Sequence, residues 1–359
     1  MSRAIIGRNT FKGRGAISNP AGRFDRTGVE AVDDGWYREE APESVATSLQ
    51  PDHARGVIST NDSPDVGFEY SINPYRGCEH GCIYCYARPS HSYVGLSPGL
   101  DFETRLFYKA DAAKVLEEEL ARPGYVCKPI MLGANTDPYQ PVERRMQVTR
   151  SILATLAACR HPVSIVTKGV LIARDVDILA DLARDRLTGV MVSLTTLEAE
   201  TKRTLEPRAA SPQARLKVIR TLADAGVPVG VLVAPIVPAI TDHETERILE
   251  AARDAGASMA AYVMLRLPYE VKHLFREWLA QHYPQRAEHV MSLVRDVRGG
   301  RDNDPNFGTR MRGTGPYAEL IRSRFRVSIR RLGLDSPRAF SLDSTRFRRP
   351  SGPQLQLEL

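Results

Sequence analysis

The sequence has no apolar run approaching the roughly 18 to 20 residues that a membrane-spanning helix needs. Its N-terminus also lacks the apolar core of a secretion signal. Cysteine is scarce, five in 359 residues, which excludes a fold stapled by disulfides. There is no second pair of cysteines at zinc-finger spacing. His273, His282 and His289 do not fall at metal-ligand intervals. Internal repeats, a glycine-rich phosphate loop and nucleic-acid-binding motifs of known spacing are absent too. What is left is an ordinary globular composition, 42% hydrophobic and 26% charged. The chain is long enough to bury a full core in one large domain or two smaller ones. These absences predict a cytoplasmic protein with no membrane contact.

Positive charge is concentrated at the ends. Residues 1–30 carry six basic and two acidic side chains, and residues 295–359 carry fourteen arginines and seven acids, so the stretch between them is net −5. Basic ends suit phosphate contacts, which makes nucleic acid a candidate partner. They also suit simple solvation.

Three of the five cysteines stand within eight residues, Cys78, Cys82 and Cys85, in a C-x3-C-x2-C frame. Gly77 and Gly81 lie where so short a loop must fold back on itself. Thiolates are soft ligands that select zinc or an iron–sulfur cluster. Three of them can hold three corners of a [4Fe–4S] cube and leave one iron open for a cofactor or substrate. The alternative is a non-catalytic zinc-binding or nucleic-acid-binding module, with His80 completing a Cys3His site.

Residues 1–62 show no sustained period and many turn-forming residues, and are expected to be a partly irregular N-terminal extension. From Val66 onward, strands alternate with helices. Strands are expected at Phe68–Ile72, Pro129–Leu132, Val163–Thr167, Gly189–Ser193, Val229–Ala234 and Ala260–Arg266. Helices are expected near Ala110–Ala121, Val142–Cys159, Arg174–Arg184, through Leu216 and Leu222, and at Asp242–Ala255, then at Val271–His282 and Gln285–Val297. Near-continuous apolar strands alternating with amphipathic helices describe a parallel sheet covered by helices. The core domain is therefore set at 63–297. Residues 298–359 form a C-terminal extension with an Arg/Gly-rich loop, a helix and a basic tail. In such sheets ligands sit beyond the C-terminal strand ends, so the residues just past each strand carry the information.

The cysteine loop, with Tyr84 just before its last cysteine, resembles the cluster loop of the radical S-adenosylmethionine (radical SAM) superfamily. Val166-Thr167-Lys168, Val192-Ser193-Leu194, Leu205-Glu206-Pro207 and Ala225-Gly226-Val227-Pro228 running into Val233-Ala234-Pro235-Ile236 resemble its spore photoproduct lyase-like group. The resemblance spans about residues 68–266. It implies an α/β fold, a partial (β/α)6 TIM-type barrel, and an enzyme. It also implies two cofactors, a [4Fe–4S] cluster on Cys78, Cys82 and Cys85, and S-adenosylmethionine (SAM), which the cluster cleaves reductively to a 5′-deoxyadenosyl radical. By the same resemblance Lys168 meets the SAM carboxylate, Ser193 the ribose and Ala234 the adenine, with Tyr84 close by. Asn135, Thr136 and Asp137 occupy the place that binds the methionine amino group, where a Gly-Gly-Glu motif is often found. Ser193 and Asp137 also have plain readings, as a turn cap and as turn chemistry. A flavodoxin or ferredoxin is implied as one-electron donor.

One departure concerns the reaction. Spore photoproduct lyases carry a hydrogen-donating cysteine in the turn after the second strand, where this chain has Asn135. Cys127 lies at the wrong end of that strand, and Cys159 reads as a small buried hydrophobe. The substrate is therefore left unassigned, with a nucleic-acid-related one implied by the family. The loop from Gly299 to Tyr317 reads as a lid or clamp offering Arg310 and Arg312 to an anionic group, and Arg266 is expected to face the same opening.

Overall fold

The computed structural model describes residues 11–25, 44–336 and 340–350. Much of the basic N-terminus, including Arg3, Arg8 and Arg26, and the tail beyond Pro350 lie outside the described residues.

Ten strands are described: β1 (Ser48–Pro51), β2 (Ile58–Thr60), β3 (Tyr70–Ile72), β4 (Tyr75–Arg76), β5 (Arg105–Tyr108), β6 (Ile130–Leu132), β7 (Val163–Thr167), β8 (Thr188–Ser193), β9 (Val229–Ile236) and β10 (Met259–Met264). The main sheet has the order β10-β9-β8-β7-β6-β3-β2. Its six strands from β3 to β10 are mutually parallel, with helices in the crossovers, and β2 adds antiparallel to the β3 edge. This is the expected partial (β/α)6 barrel. Alternation along the strands sorts their side chains. Ile72, Leu132, Ile165 and Val231 are buried in one cluster with Leu116, Ile152, Leu179, Leu222 and Leu249 of the surrounding helices. Ser71, Met131, Val166 and Leu232 instead line an interior cavity.

Several expectations need correction. Within the partly irregular stretch 1–62 two strands are described that were not expected: β2 extends the main sheet, and β1 joins β5 and β4 in a separate three-stranded sheet. The helix expected over Val142–Cys159 is two, Glu143–Met146 and Val148–Ala158, broken at Gln147 with φ of 53°. The break leaves the buried Glu143 carboxylate accepting from the backbone N–H of Thr149 at 3.0 Å, which caps the second helix. The sixth strand stops at Met264, so Arg266 belongs to the following loop. The long C-terminal loop ends where the helix Gly315–Leu332 begins, and Asp335 returns to bridge Met259 beside the sheet.

The arm at residues 11–25 threads under the cysteine loop. Backbone N–H groups of Gly15 and Ala16 donate to the buried Glu103 carboxylate, each at 2.9 Å. A Cβ at Gly15 would sit 1.8 Å from the Gly81 carbonyl oxygen, so only glycine permits that approach.

Candidate active site

Gly77 and Gly81 both adopt positive φ, 75° and 67°, which lets the chain reverse between β4 and the first cysteines. The loop is then fixed from below by buried groups. Arg88 donates to the carbonyls of Cys82 (2.9 Å), Gly81 (3.2 Å), Pro98 and Gly99, and pairs with Glu103. Gln140 holds the loop from the β6 side, accepting from Glu79 N–H at 2.9 Å and donating to the Gly77 carbonyl at 3.2 Å.

Cys78, Cys82 and Cys85 all line one cavity of about 640 Å³ at the C-terminal strand ends. They are unbridged, and Cys78 and Cys82 are buried. Burial pushes all three thiols up, Cys82 to about 12 with the Glu206 carboxylate adding to it. Protonated thiols in such a place lose their protons only to a metal, which supplies the missing positive charge. Among the described residues, no three His, Cys, Asp or Glu side chains stand close enough to hold a single metal ion. A mononuclear zinc site needs that, with every sulfur about 2.3 Å from one ion. A cubane does not, because each thiolate bonds a different iron. His80, the prospective zinc ligand, sets its Nδ1 3.3 Å from Asp137, an arrangement that a histidine ligand would also show. The donor set fits a cluster better than zinc.

Tyr84 lines the cavity, and its hydroxyl donates to Glu206. Glu206 also accepts from Thr195 Oγ1 at 2.7 Å and pairs with the fully buried Arg215, which donates to the Ser193 carbonyl at 3.0 Å. The same Thr195 Oγ1 lies 2.9 Å from the Ala234 carbonyl, the alternative acceptor for its one hydrogen. One buried network thus ties the cysteine loop to the ends of β8 and β9. Burial would raise the Glu206 carboxyl, but Arg215, Lys168 and Tyr84 hold it at about 2.

The other expected site residues all line the same cavity: Asn135, Thr136, Asp137, Lys168, Ser193 and Ala234. Their freedom differs. Lys168 has no carboxylate within 4 Å of its Nζ among the described residues, and that atom lies 5.9 Å from the Tyr84 ring centroid. Asn135 has its backbone N–H on Asn73 Oδ1 at 2.7 Å and its side chain near Ser90. Thr136 turns its hydroxyl to the Tyr75 carbonyl at 2.8 Å. Asp137 is used up: Oδ1 accepts from Thr167 Oγ1 and Tyr139 N–H, Oδ2 from Lys168 N–H, and His80 lies against Oδ2. Burial would raise its carboxyl, but His80 and these donors hold it at about 2. A carboxylate has about four acceptor sites, so none is left for an ammonium group.

Arg88, Glu103, Gln140, Thr195 and Arg215 were not singled out in the sequence; it is their burial in the fold that pairs them. Glu206 stood in the quoted Leu205-Glu206-Pro207 segment without a role. Arg266 and Arg310 do line the cavity, whereas Arg312 is exposed and outside it. Cys127 and Cys159 are not among the lining residues.

The model of the Radical SAM superfamily matches residues 72–252. An uncharacterised Mycobacterium tuberculosis protein is 39% identical over 230 residues, covering 64% of this chain and 68% of that one. An uncharacterised Methanocaldococcus jannaschii protein is 28% identical over 233 residues, covering 64% of this chain and 82% of that one. Among solved structures, spore photoproduct lyase complexed with dinucleoside spore photoproduct superposes with a TM-score of 0.56 at 18% identity, over 79% of each chain. A variant of it with bound AdoMet and the same dinucleoside gives 0.56 at 18%, over 79% of this chain and 78% of that one. At that identity the likeness is one of fold.

Proposed function

The chain belongs to the radical SAM superfamily, and on that premise we propose that Cys78, Cys82 and Cys85 hold a [4Fe–4S] cluster whose open iron, together with the strand ends, binds SAM. The observation that carries this reading is a single cavity open both to the three thiols and to the ends of β7, β8 and β9. When bound, the cluster supplies the electron that splits the SAM sulfonium, giving methionine and a 5′-deoxyadenosyl radical that abstracts hydrogen from the substrate.

The chain's own part is binding and exclusion of water. Lys168, with no carboxylate within 4 Å of its Nζ among the described residues, is offered to the SAM carboxylate. Asn135 is offered to the amino group, Ser193 to the ribose, and the backbone at Ala234 to the adenine. Thr136 and Asp137 act by position: Asp137 fastens His80 of the cysteine loop to the ends of β6 and β7. Tyr84, held by Glu206, forms a fixed wall beside the thiols.

Radical SAM enzymes require an electron donor, and we take it to be a flavodoxin or ferredoxin. A nucleic-acid-related substrate is favoured by the fold shared with spore photoproduct lyase and by the basic chain ends. Hydrogen return from a protein thiol is disfavoured. Among the described residues, the cysteines lining the cavity are those three alone.

The test is anaerobic reconstitution, then dithionite and SAM, with 5′-deoxyadenosine as the readout. A brown protein that forms it, with formation lost in Cys82→Ala, supports the proposal. A colourless zinc protein forming none overturns it in favour of a metal-binding module.

A further inference from the structure

Beyond β10 the cavity is lined by a cation without a counter-ion. Arg266 sets its Nη1 3.4 Å from Met311 Sδ and its guanidinium 5.6 Å from the Tyr86 ring centroid. Its Nε is buried without a hydrogen-bond partner, and no carboxylate lies within 4 Å of its nitrogens among the described residues. Two more guanidinium groups stand close by. Arg310 lines the same cavity, held by Asp65 and Ser63, each at 2.6 Å. Arg298 is spent on the backbone carbonyls of Met264, Leu265, Thr309 and Arg310.

Two carboxylates face this group, and both are occupied. Asp65 serves Arg310 and the Gly308 N–H, and Asp304 accepts from Thr309 Oγ1 and the Asn306 N–H. Among the described residues, three cations against two anions leave one positive charge over; Arg298 also keeps a buried Nε without a partner, but Arg266 is the one of the two that lines the cavity. A guanidinium does not escape by losing its proton, so burial without an anion is a standing cost. The contact with the Tyr86 ring offsets part of it. Burial and the nearby Arg310 both press the Arg266 pKa down, against the weaker pull of Tyr86, Asp65 and Asp304.

This group is separate from the one offered to SAM. Arg266 follows β10 and Lys168 follows β7, three strand spacings apart in the sheet. That is roughly 14 Å measured along the curved sheet at about 4.8 Å per strand. We propose that Arg266, backed by Arg310, is the subsite for an oxyanion group, phosphoryl or carboxylate, on the molecule whose hydrogen is abstracted. The inference rests on the radical SAM reading for the word substrate, but not for the anion site itself. Arginine's planar donor fork suits both oxyanions.

The experiment is calorimetric titration of the anaerobically reconstituted full-length chain with inorganic phosphate, with acetate and, separately, with SAM. Saturable binding of phosphate or acetate is expected, with the tighter probe naming the oxyanion. Loss of a charge-assisted hydrogen bond predicts roughly tenfold weakening or more in Arg266→Gln. Arg266→Lys should keep part of the affinity, and Arg310→Gln should show a smaller loss. Affinity for SAM should stay within about twofold in all three.

Three results overturn the proposal: no saturable anion binding by the unaltered protein, unchanged binding in Arg266→Gln with matching melting curves, or loss of SAM affinity in Arg266→Gln, which would give Arg266 to SAM instead. A protein that binds the anion through Arg266 yet neither binds SAM nor forms 5′-deoxyadenosine keeps the anion site and sinks the radical reading.

Discussion

Arg310 Nε donates to Asp65 Oδ2 at 2.6 Å, although the two residues are 245 positions apart. Asp65 hangs from the β2–β3 connection at one edge of the sheet. The loop carrying Arg310 is fastened to the other edge, where Met264 N–H donates to the Met311 carbonyl at 2.9 Å. The pair therefore bridges the open side of the partial barrel over the cavity. Both side chains are largely shielded, so the pair should outweigh a surface salt bridge. Asp65→Ala should cost about 1–3 kcal/mol, since it strands Arg310, and should speed protease cleavage within 299–314. A double-mutant cycle with Arg310→Ala, read by urea unfolding, measures the coupling. A value near zero would show that the bridge does not hold the mouth together.

The arm under the cysteine loop gives a second prediction. Glu103 and Arg88 are both fully buried, and Glu103 also takes the Gly15 and Ala16 N–H groups. Glu103→Ala leaves a buried guanidinium unpaired and should cost about 3–5 kcal/mol. Gly15→Ala is the milder test, because its Cβ would press on the Gly81 carbonyl between the first two cysteines. It should cost about 1–3 kcal/mol by overpacking, and iron retained per chain after reconstitution should fall. Full iron loading with an unchanged melt would mean the arm yields without disturbing the loop.

The six parallel strands were legible because each is an apolar run read against a helical period, and their ends were legible because chemistry gathers there. The three-stranded sheet was not, since β1 is mostly exposed and β4 spans two residues, too little for a period to register. The same contrast divides the site. Lys168, Ser193 and Ala234 follow strands and could be found by position. Arg88 with Glu103, and Glu206 with Arg215, are pairs made by folding, and nothing in a charged residue's local sequence says that it will be buried. Asp137 was found, but its saturation with four partners depends on Thr167, Tyr139, Lys168 and His80 arriving from three segments.

His161 supplies a prediction on pH. It is buried, with Nε2 2.7 Å from the Tyr125 hydroxyl and Nδ1 3.0 Å from the Pro162 carbonyl. Burial lowers its pKa to about 4, the Pro162 carbonyl opposing, against about 6.5 in the unfolded chain. Between those values the unfolded state holds a proton that the folded state refuses, so stability falls as pH drops from about 6.5 towards 4. The loss should reach about 3 kcal/mol. Urea midpoints from pH 4.5 to 7.5 should slope less in His161→Phe than in the unaltered protein. Parallel slopes would remove His161 as the cause.

Lys168 and Asp137 separate holding a ligand from shaping the place that holds it. Among the described residues the Lys168 ammonium has no carboxylate within 4 Å and acts on Glu206 only from farther off, so Lys168→Met should change the melting temperature little. Its loss should fall on SAM, at roughly 10- to 100-fold in Kd for a charge-assisted contact. Asp137→Ala does the reverse: it strands His80, Thr167 and two backbone N–H groups, and should cost several kcal/mol, about 1–3 for each donor left unsatisfied. Iron retention should fall with it, because His80 sits between the first two cysteines. If Asp137→Ala instead melts normally, keeps its iron and loses only SAM, then the carboxylate exchanges its partners for the ligand's ammonium group, and the turn after β6 binds directly rather than by position.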